Sequence, residues 1–143
     1  MIFKRLNRTL AEQIFLVFQA NAAGIAADDV VSLETAAASV DGIKIIQPAT
    51  ALAAAHAVVG VADAAIANGA YGLVQVYGPR STSRIILTDT SQAGLGHALK
   101  AVSGQDYLST AVSTVGVVPF AVLLESLATG TTTASQKIFL RMM

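Results

Sequence analysis

Two histidines, nine acidic side chains, nine lysines and arginines and no cysteine bound the chemistry open to this 143-residue chain. Ser103, His97 and Asp106 lie close together in sequence and are the residue types of a nucleophilic triad. Such a triad is defined by geometry and an oxyanion hole, and Ser103-Gly104 lacks the Gly-x-Ser-x-Gly frame that exposes a serine on a sharp turn. His56 and His97, joined by Asp63 or Asp106, would supply the three ligands of a catalytic zinc, but no His-Glu-x-x-His spacing asks for that arrangement. Asp28 and Asp29 are adjacent; in an extended segment they point to opposite faces, and the local composition predicts a solvated turn. Gly94-Leu95-Gly96 lacks the third glycine of a dinucleotide fingerprint, and no Lys-Ser/Thr pair completes a phosphate loop. The sequence therefore predicts no catalytic residue, no metal site and no cofactor.

Recognition chemistry is better represented. Tyr71 and Tyr77 stand near Arg80 and Arg84, so aromatic rings fall beside guanidinium groups, the combination that stacks single-stranded nucleic acid or a sugar. The same residues equally suit one face of a sheet or the anchor of a subunit contact. Lys4, Arg5 and Arg8 form the one basic cluster and suit a solvated N-terminal arm over residues 1–11. Phosphate binding needs an excess of Lys and Arg, and the formal net charge is zero, which argues against nucleic acid as a direct partner.

These residues must be positioned by elements whose period is mostly that of a strand. Glu12 to Gln19, Val30 to Glu34, Ile43 to Ile46, Ala57 to Ala62 and Ser83 to Thr88 are short apolar or β-branched runs bounded by turn residues. Tyr71 to Gly78 alternates, with Val74 and Val76 on one face and Leu73, Gln75 and Tyr77 on the other, and Pro79 is expected to end it. Phe120 to Ala128, which propensity alone would also allow as a helix, and Gln136 to Met142 complete the set around a Thr-rich loop, while Ala49 to Ala55 suits a helical turn or, equally, an irregular stretch. Asp41-Gly42 and Asn68-Gly69 mark tight turns. No linker divides the chain and no repeat of fixed period is visible, so the expectation is one mainly β domain over residues 1–143, a small barrel or sandwich.

Composition narrows the class further. Only 13% of residues are charged and 54% are hydrophobic, little charge to keep free monomers apart, so the chain reads as a subunit that buries part of its outside against other chains. No segment reads as a membrane span: Ala49 to Ala67 carries His56 and Asp63, and Ala111 to Leu124 is broken by Ser113, Thr114 and Pro119. Glu12 and Gln13 interrupt what would be the apolar core of a signal peptide, and a cytoplasmic origin is expected.

The segment Gly60 to Gly78 (GVADAAIANGAYGLVQVYG) resembles the core of the small head decoration, or cement, proteins of tailed bacteriophages. There a Gly-Val-Ala stretch is followed by an apolar step, a turn and a strand of the form Gly-x-Val-Gln-x-x-Gly. Residues 98–102 and 137–141 fall where such proteins place further strands. The resemblance implies a non-enzymatic virion protein with a β-barrel or β-tulip-like body and an extended N-terminal arm. It implies assembly in the host cytoplasm and a place on the capsid exterior, as a homotrimer bound to the major capsid protein and stabilising its lattice. On that reading Phe3, Lys4, Arg5 and Arg8 form one contact and Tyr77, Arg80 and Arg84 a second. The competing expectations are another virion part, such as a head fibre base or tail component, and an oligonucleotide- or carbohydrate-binding barrel.

Overall fold

The computed structural model describes residues 11–21, 23–34, 42–47, 57–86, 95–102, 104–110, 119–126 and 134–141. They form eleven strands: β1 (Ile14–Ala20), β2 (Val30–Leu33), β3 (Lys44–Ile46), β4 (Val58–Ala62), β5 (Tyr71–Arg80), β6 (Arg84–Ile86), β7 (Ala98–Ala101), β8 (Leu108–Thr110), β9 (Ala121–Leu123), β10 (Ala134–Ser135) and β11 (Ile138–Arg141). The mainly β, barrel-forming expectation holds. Two short strands, β8 and β10, fall outside the runs read from sequence, and the basic cluster Lys4, Arg5 and Arg8 and the stretch Ala49 to Ala55 lie outside the described residues.

Five strands close a barrel in the order β1-β3-β2-β4-β5, with β5 returning to β1. All pairs are antiparallel except β1 and β3. The alternation in β5 decides what fills it: Val74 and Val76 turn inward and meet Phe18, Ala20, Val31, Ile45 and Ala62. Ile25 and Ile66, joined by a two-way backbone bridge, cap this core. Gly72 is required beneath that cap, because a Cβ there would overlap the Ile66 side chain.

Pro79 does not end β5, which runs on to Arg80. The last β1 pair is Ile14 with Tyr77, so from Gly78 onward β5 has a ladder partner only on the β11 side, an edge setting in which a missing N–H is tolerated. Gly78 takes a φ of 100° and lets the Glu12 carbonyl approach so closely that any Cβ would overlap it.

The remaining strands repeat the pairing order of the first five. β6 lies parallel to β8, β8 pairs β7, β7 pairs β9, β9 pairs β11, and β10 returns to β6. Only Gln136 and Lys137 separate β10 from β11, and the Gln136 N–H bonds the Ser83 carbonyl, so these two form one strand path. The register repeats as well. Ala20 meets Ile45 and Ile45 meets Leu33, as Ile85 meets Leu108 and Leu108 meets Ala101. Val31 faces Gly60 as Leu99 faces Ala121; Ala62 faces Val74 as Leu123 faces Ile138; Gln19 faces Tyr71 as Arg84 faces Ser135. Going round the ring this way returns to its starting residue without a slip.

The described residues therefore hold two copies of one five-stranded pairing pattern, a repeat of topology that, as the sequence reading expected, has no fixed period. Equivalent residues lie 65 apart at Ala20 and Ile85, 68 at Leu33 and Ala101, 63 at Ile45 and Leu108, 61 at Ala62 and Leu123, and 64 at Val74 and Ile138. No single period relates them. The interior has also diverged: Ile85, Leu99, Leu108, Leu123, Ile138 and Leu140 fill the second motif where the first has Ala20, Val31, Ile45, Ala62, Val74 and Val76. Phe18, Ile25 and Ile66 supply the volume the two alanines leave. The halves join along β5 and β11 and through Val30, Val58 and Val61, which turn outward from the first barrel and pack into the second core.

Candidate functional site

The polar residues singled out by sequence converge where the two halves meet. The β1–β2 loop makes a turn at Ala26 to Asp29 in which Asp28 takes a φ of 67° and the Asp29 carboxylate accepts the Ala26 N–H at 2.8 Å. This geometry sends the adjacent carboxylates to different arginines. Arg80 donates to Asp28 at 2.7 Å, Asp63 at 3.3 Å, the Gln75 Oε1 at 3.2 Å and the Ala62 carbonyl at 2.8 Å. Arg84 binds Asp29 at 3.1 Å and also Asp106. Thr82, between them, donates to Asp28 at 2.8 Å.

Asp28 and Asp29 are thus not a solvated pair. Asp29 is 1% exposed, held by the Ala26 amide, the Gln47 amide and Arg84, which together compensate its desolvation. Arg80 is 6% exposed, so its guanidinium faces inward from the end of β5. Arg84 is half-buried; desolvation opposes its charge, but hydrogen bonds and Coulomb attraction from Asp29 and Asp106 outweigh it and hold its pKa above the usual value. Tyr77 is half-buried against Phe139, edge to face, with ring centroids 5.3 Å apart. The structure therefore gathers Tyr77, Arg80 and Arg84 on one stretch of chain, and commits the two arginines to carboxylates of the same molecule.

Of the histidine-centred alternatives, the described residues include His97, Asp63 and Asp106. His97 precedes β7, where its carbonyl accepts the Leu123 N–H, and the Asp106 carboxylate is taken by Arg84. Ser103 and His56 lie outside the described residues, as do Phe3, Lys4, Arg5 and Arg8 of the N-terminal contact. Two shallow clefts of about 170 and 240 Å³ adjoin over the β5–β6 turn and share Gln13, Arg80 and Ser81. The first adds Phe15, Asp63, Gln75 and Thr82, the second Leu124 and Lys137.

Exposed apolar surface lies elsewhere. Among the described residues, five of the seven exposed large hydrophobic side chains, Leu16, Val17, Ile43, Tyr71 and Leu73, lie on or beside β1. Val17 pairs directly with Leu73, and the Ile43 carbonyl accepts the Gln19 N–H. Sequence reading assigned Leu16 and Val17 to a strand without exposing them. The available signal was the unbroken apolar run Ile14 to Phe18, in which period-two alternation must leave some residues outside.

No family model and no curated protein matches the chain. Among solved structures, the fold is similar to the N base of the head fiber protein gp8.5 of bacteriophage phi29, with a TM-score of 0.52 and 14% sequence identity over 90% of this chain and 94% of that one. The similarity is one of fold, and it spans both halves.

Proposed function

We propose that this chain is a structural protein of a bacteriophage head, bound to the outer face of the capsid through contacts with the major capsid protein and with other copies of itself. The observation that carries the reading is the fold likeness to a head fibre base, which extends over nearly all of both chains. Of the two virion roles the sequence suggested, this favours the base of a head appendage over a cement protein. Val17, Tyr71 and Leu73, exposed together on the outward side of the β1–β5 pair, support a role built on protein contacts, since monomeric proteins seldom gather large exposed apolar residues on one strand pair.

The physical logic is mass action: a protein that binds only the assembled shell is held there by that binding free energy and stabilises the shell in return. Several copies gripping one lattice gain further through effective concentration. The test is to mix purified full chain with heads lacking it and image the particles. Saturable density at symmetry-related positions on the head is the expected result, and density on the tail or none at all would refute it.

A further inference from the structure

The two clefts over the β5–β6 turn carry walls of opposite character at equivalent places in the two halves. The Asp63 N–H, just past β4, bonds the Leu73 carbonyl as the Leu124 N–H, just past β9, bonds the Lys137 carbonyl. Asp63 and Leu124 therefore correspond by register, and each lines one of the adjoining clefts, with Arg80 and Ser81 common to both. The first cleft also holds the half-buried Phe15, which faces Gln75 directly in the β1–β5 ladder, and the second holds Pro79. Volumes of about 170 and 240 Å³ together fall within the range of roughly 300–1,000 Å³ usual for small-molecule sites.

What such a site can hold follows from which of its donors and acceptors are already spent. Arg80 commits its four terminal N–H groups to Asp63, Gln75, Asp28 and the Ala62 carbonyl, so none is left to turn to an anion. A cation is no better placed: its charge would stand beside that buried guanidinium, and the carboxylates that could attract it already share Arg80. The Pro79 carbonyl is taken by the Gln13 amide at 2.6 Å and the Gln75 amide at 3.0 Å. The first of these bonds fixes the Gln13 side chain and leaves its Oε1 to accept. Asp63, 45% exposed, meets Arg80 through Oδ1 and keeps Oδ2 as a further acceptor, and Thr82 gives its proton to Asp28 and offers its oxygen. The open polar positions are thus acceptors set beside apolar carbon. That combination suits an uncharged molecule with hydroxyl donors on one edge and C–H groups on a face.

We propose that the joined clefts bind a neutral saccharide, its hydroxyls donating to Asp63 and Gln13 and its C–H face resting on the Phe15 ring. Sequence pointed to Tyr71 and Tyr77 for such a ligand, but neither lines the clefts, and of the residues it named only Arg80 does. The proposal does not depend on attachment to the head.

The test is saturation-transfer NMR on the purified full chain with three sets of probes: neutral hexoses and N-acetylhexosamines, uronic acids, and hexosamines with a free ammonium group. At least one neutral sugar should give a saturable signal, and its charged relatives should bind about tenfold more weakly. Absence of binding by every neutral sugar, or charged sugars binding as tightly as neutral ones, overturns the proposal. Ser81→Trp fills the exposed turn common to both clefts, and Asp63→Asn exchanges the Oδ2 acceptor for a donor at unchanged volume. Each should weaken the neutral sugar about tenfold while the thermal melt stays that of a folded chain. Binding unaltered in both variants also overturns it. Should Ser81→Trp lose the folded melt, Asp63→Asn decides alone.

Discussion

Replacing Arg80 by methionine tests whether the halves are fastened by the buried guanidinium. The substitution keeps much of the side-chain volume and removes donors from four acceptors: Asp28, Asp63, the Gln75 Oε1 and the Ala62 carbonyl. The two carboxylates count for less than burial of the arginine suggests, because Asp63 is 45% exposed and Asp28 28%, so both can turn to water. Gln75 is fully buried and cannot, and an orphaned buried acceptor costs about 1–3 kcal/mol. Methionine gives back a little, since the Arg80 Nε has no acceptor among the described residues. The sum is a loss of about 3 kcal/mol. The parallel change Arg84→Met should cost about 1 kcal/mol, because that side chain is half-exposed and Asp29 keeps the Ala26 and Gln47 donors. Urea denaturation reads both, and at a slope of roughly 2 kcal/mol per molar the midpoints should fall by about 1.5 M and 0.5 M. Equal shifts, or an Arg80→Met loss below about 1 kcal/mol, would refute the reasoning.

Gly78→Ala should destabilise by about 2–4 kcal/mol, because it combines a φ of 100° with overlap on the Glu12 carbonyl; a thermal melt within two degrees of wild type would contradict this. Asp28→Gly relieves a positive φ worth about 1 kcal/mol yet removes a carboxylate from Arg80, and the net effect expected in urea is a loss. Leu108→Ala, deep in the second core, should cost about 2–5 kcal/mol, measured the same way. Glu125 is held below the usual carboxylate range by the hydrogen bond from the Lys137 ammonium and by the Lys137 N–H. Its small contribution is therefore present above the unfolded value near pH 4.3 and lost as pH falls through the lowered folded one. Wild type should lose more stability than Glu125→Gln between pH 6 and pH 2.5, followed by urea midpoints.

Much of the fold was legible because period-two alternation and turn glycines are local. Val74 and Val76 against Leu73 and Tyr77 set the orientation of β5, and Gly42 and Gly69 adopt the positive φ values that their Asp-Gly and Asn-Gly pairs imply. β8 and β10 were not legible, since three and two residues are too few to carry a pattern. The site was harder. That Arg80 faces inward depends on a loop fifty residues away, and no local signal distinguishes it from Arg84. One hint was present: in a chain so poor in charge, adjacent aspartates and two arginines four apart are unusual enough to invite pairing. The repeat escaped because backbone pairing was kept while side-chain volumes were redistributed.

That redistribution has a consequence for folding. Two motifs with the same strand order in one polypeptide invite kinetic traps, in which β4 of the first half pairs with β11 of the second and a hybrid barrel forms. Alternative pairings of this kind are stable only if the exchanged strands carry interchangeable interiors. Ala62 and Leu123 differ by three carbon atoms at equivalent sites, as do Ala20 and Ile85, so a hybrid would enclose a void in one ring and an overlap in the other. Unequal cores steer each strand back to its own half.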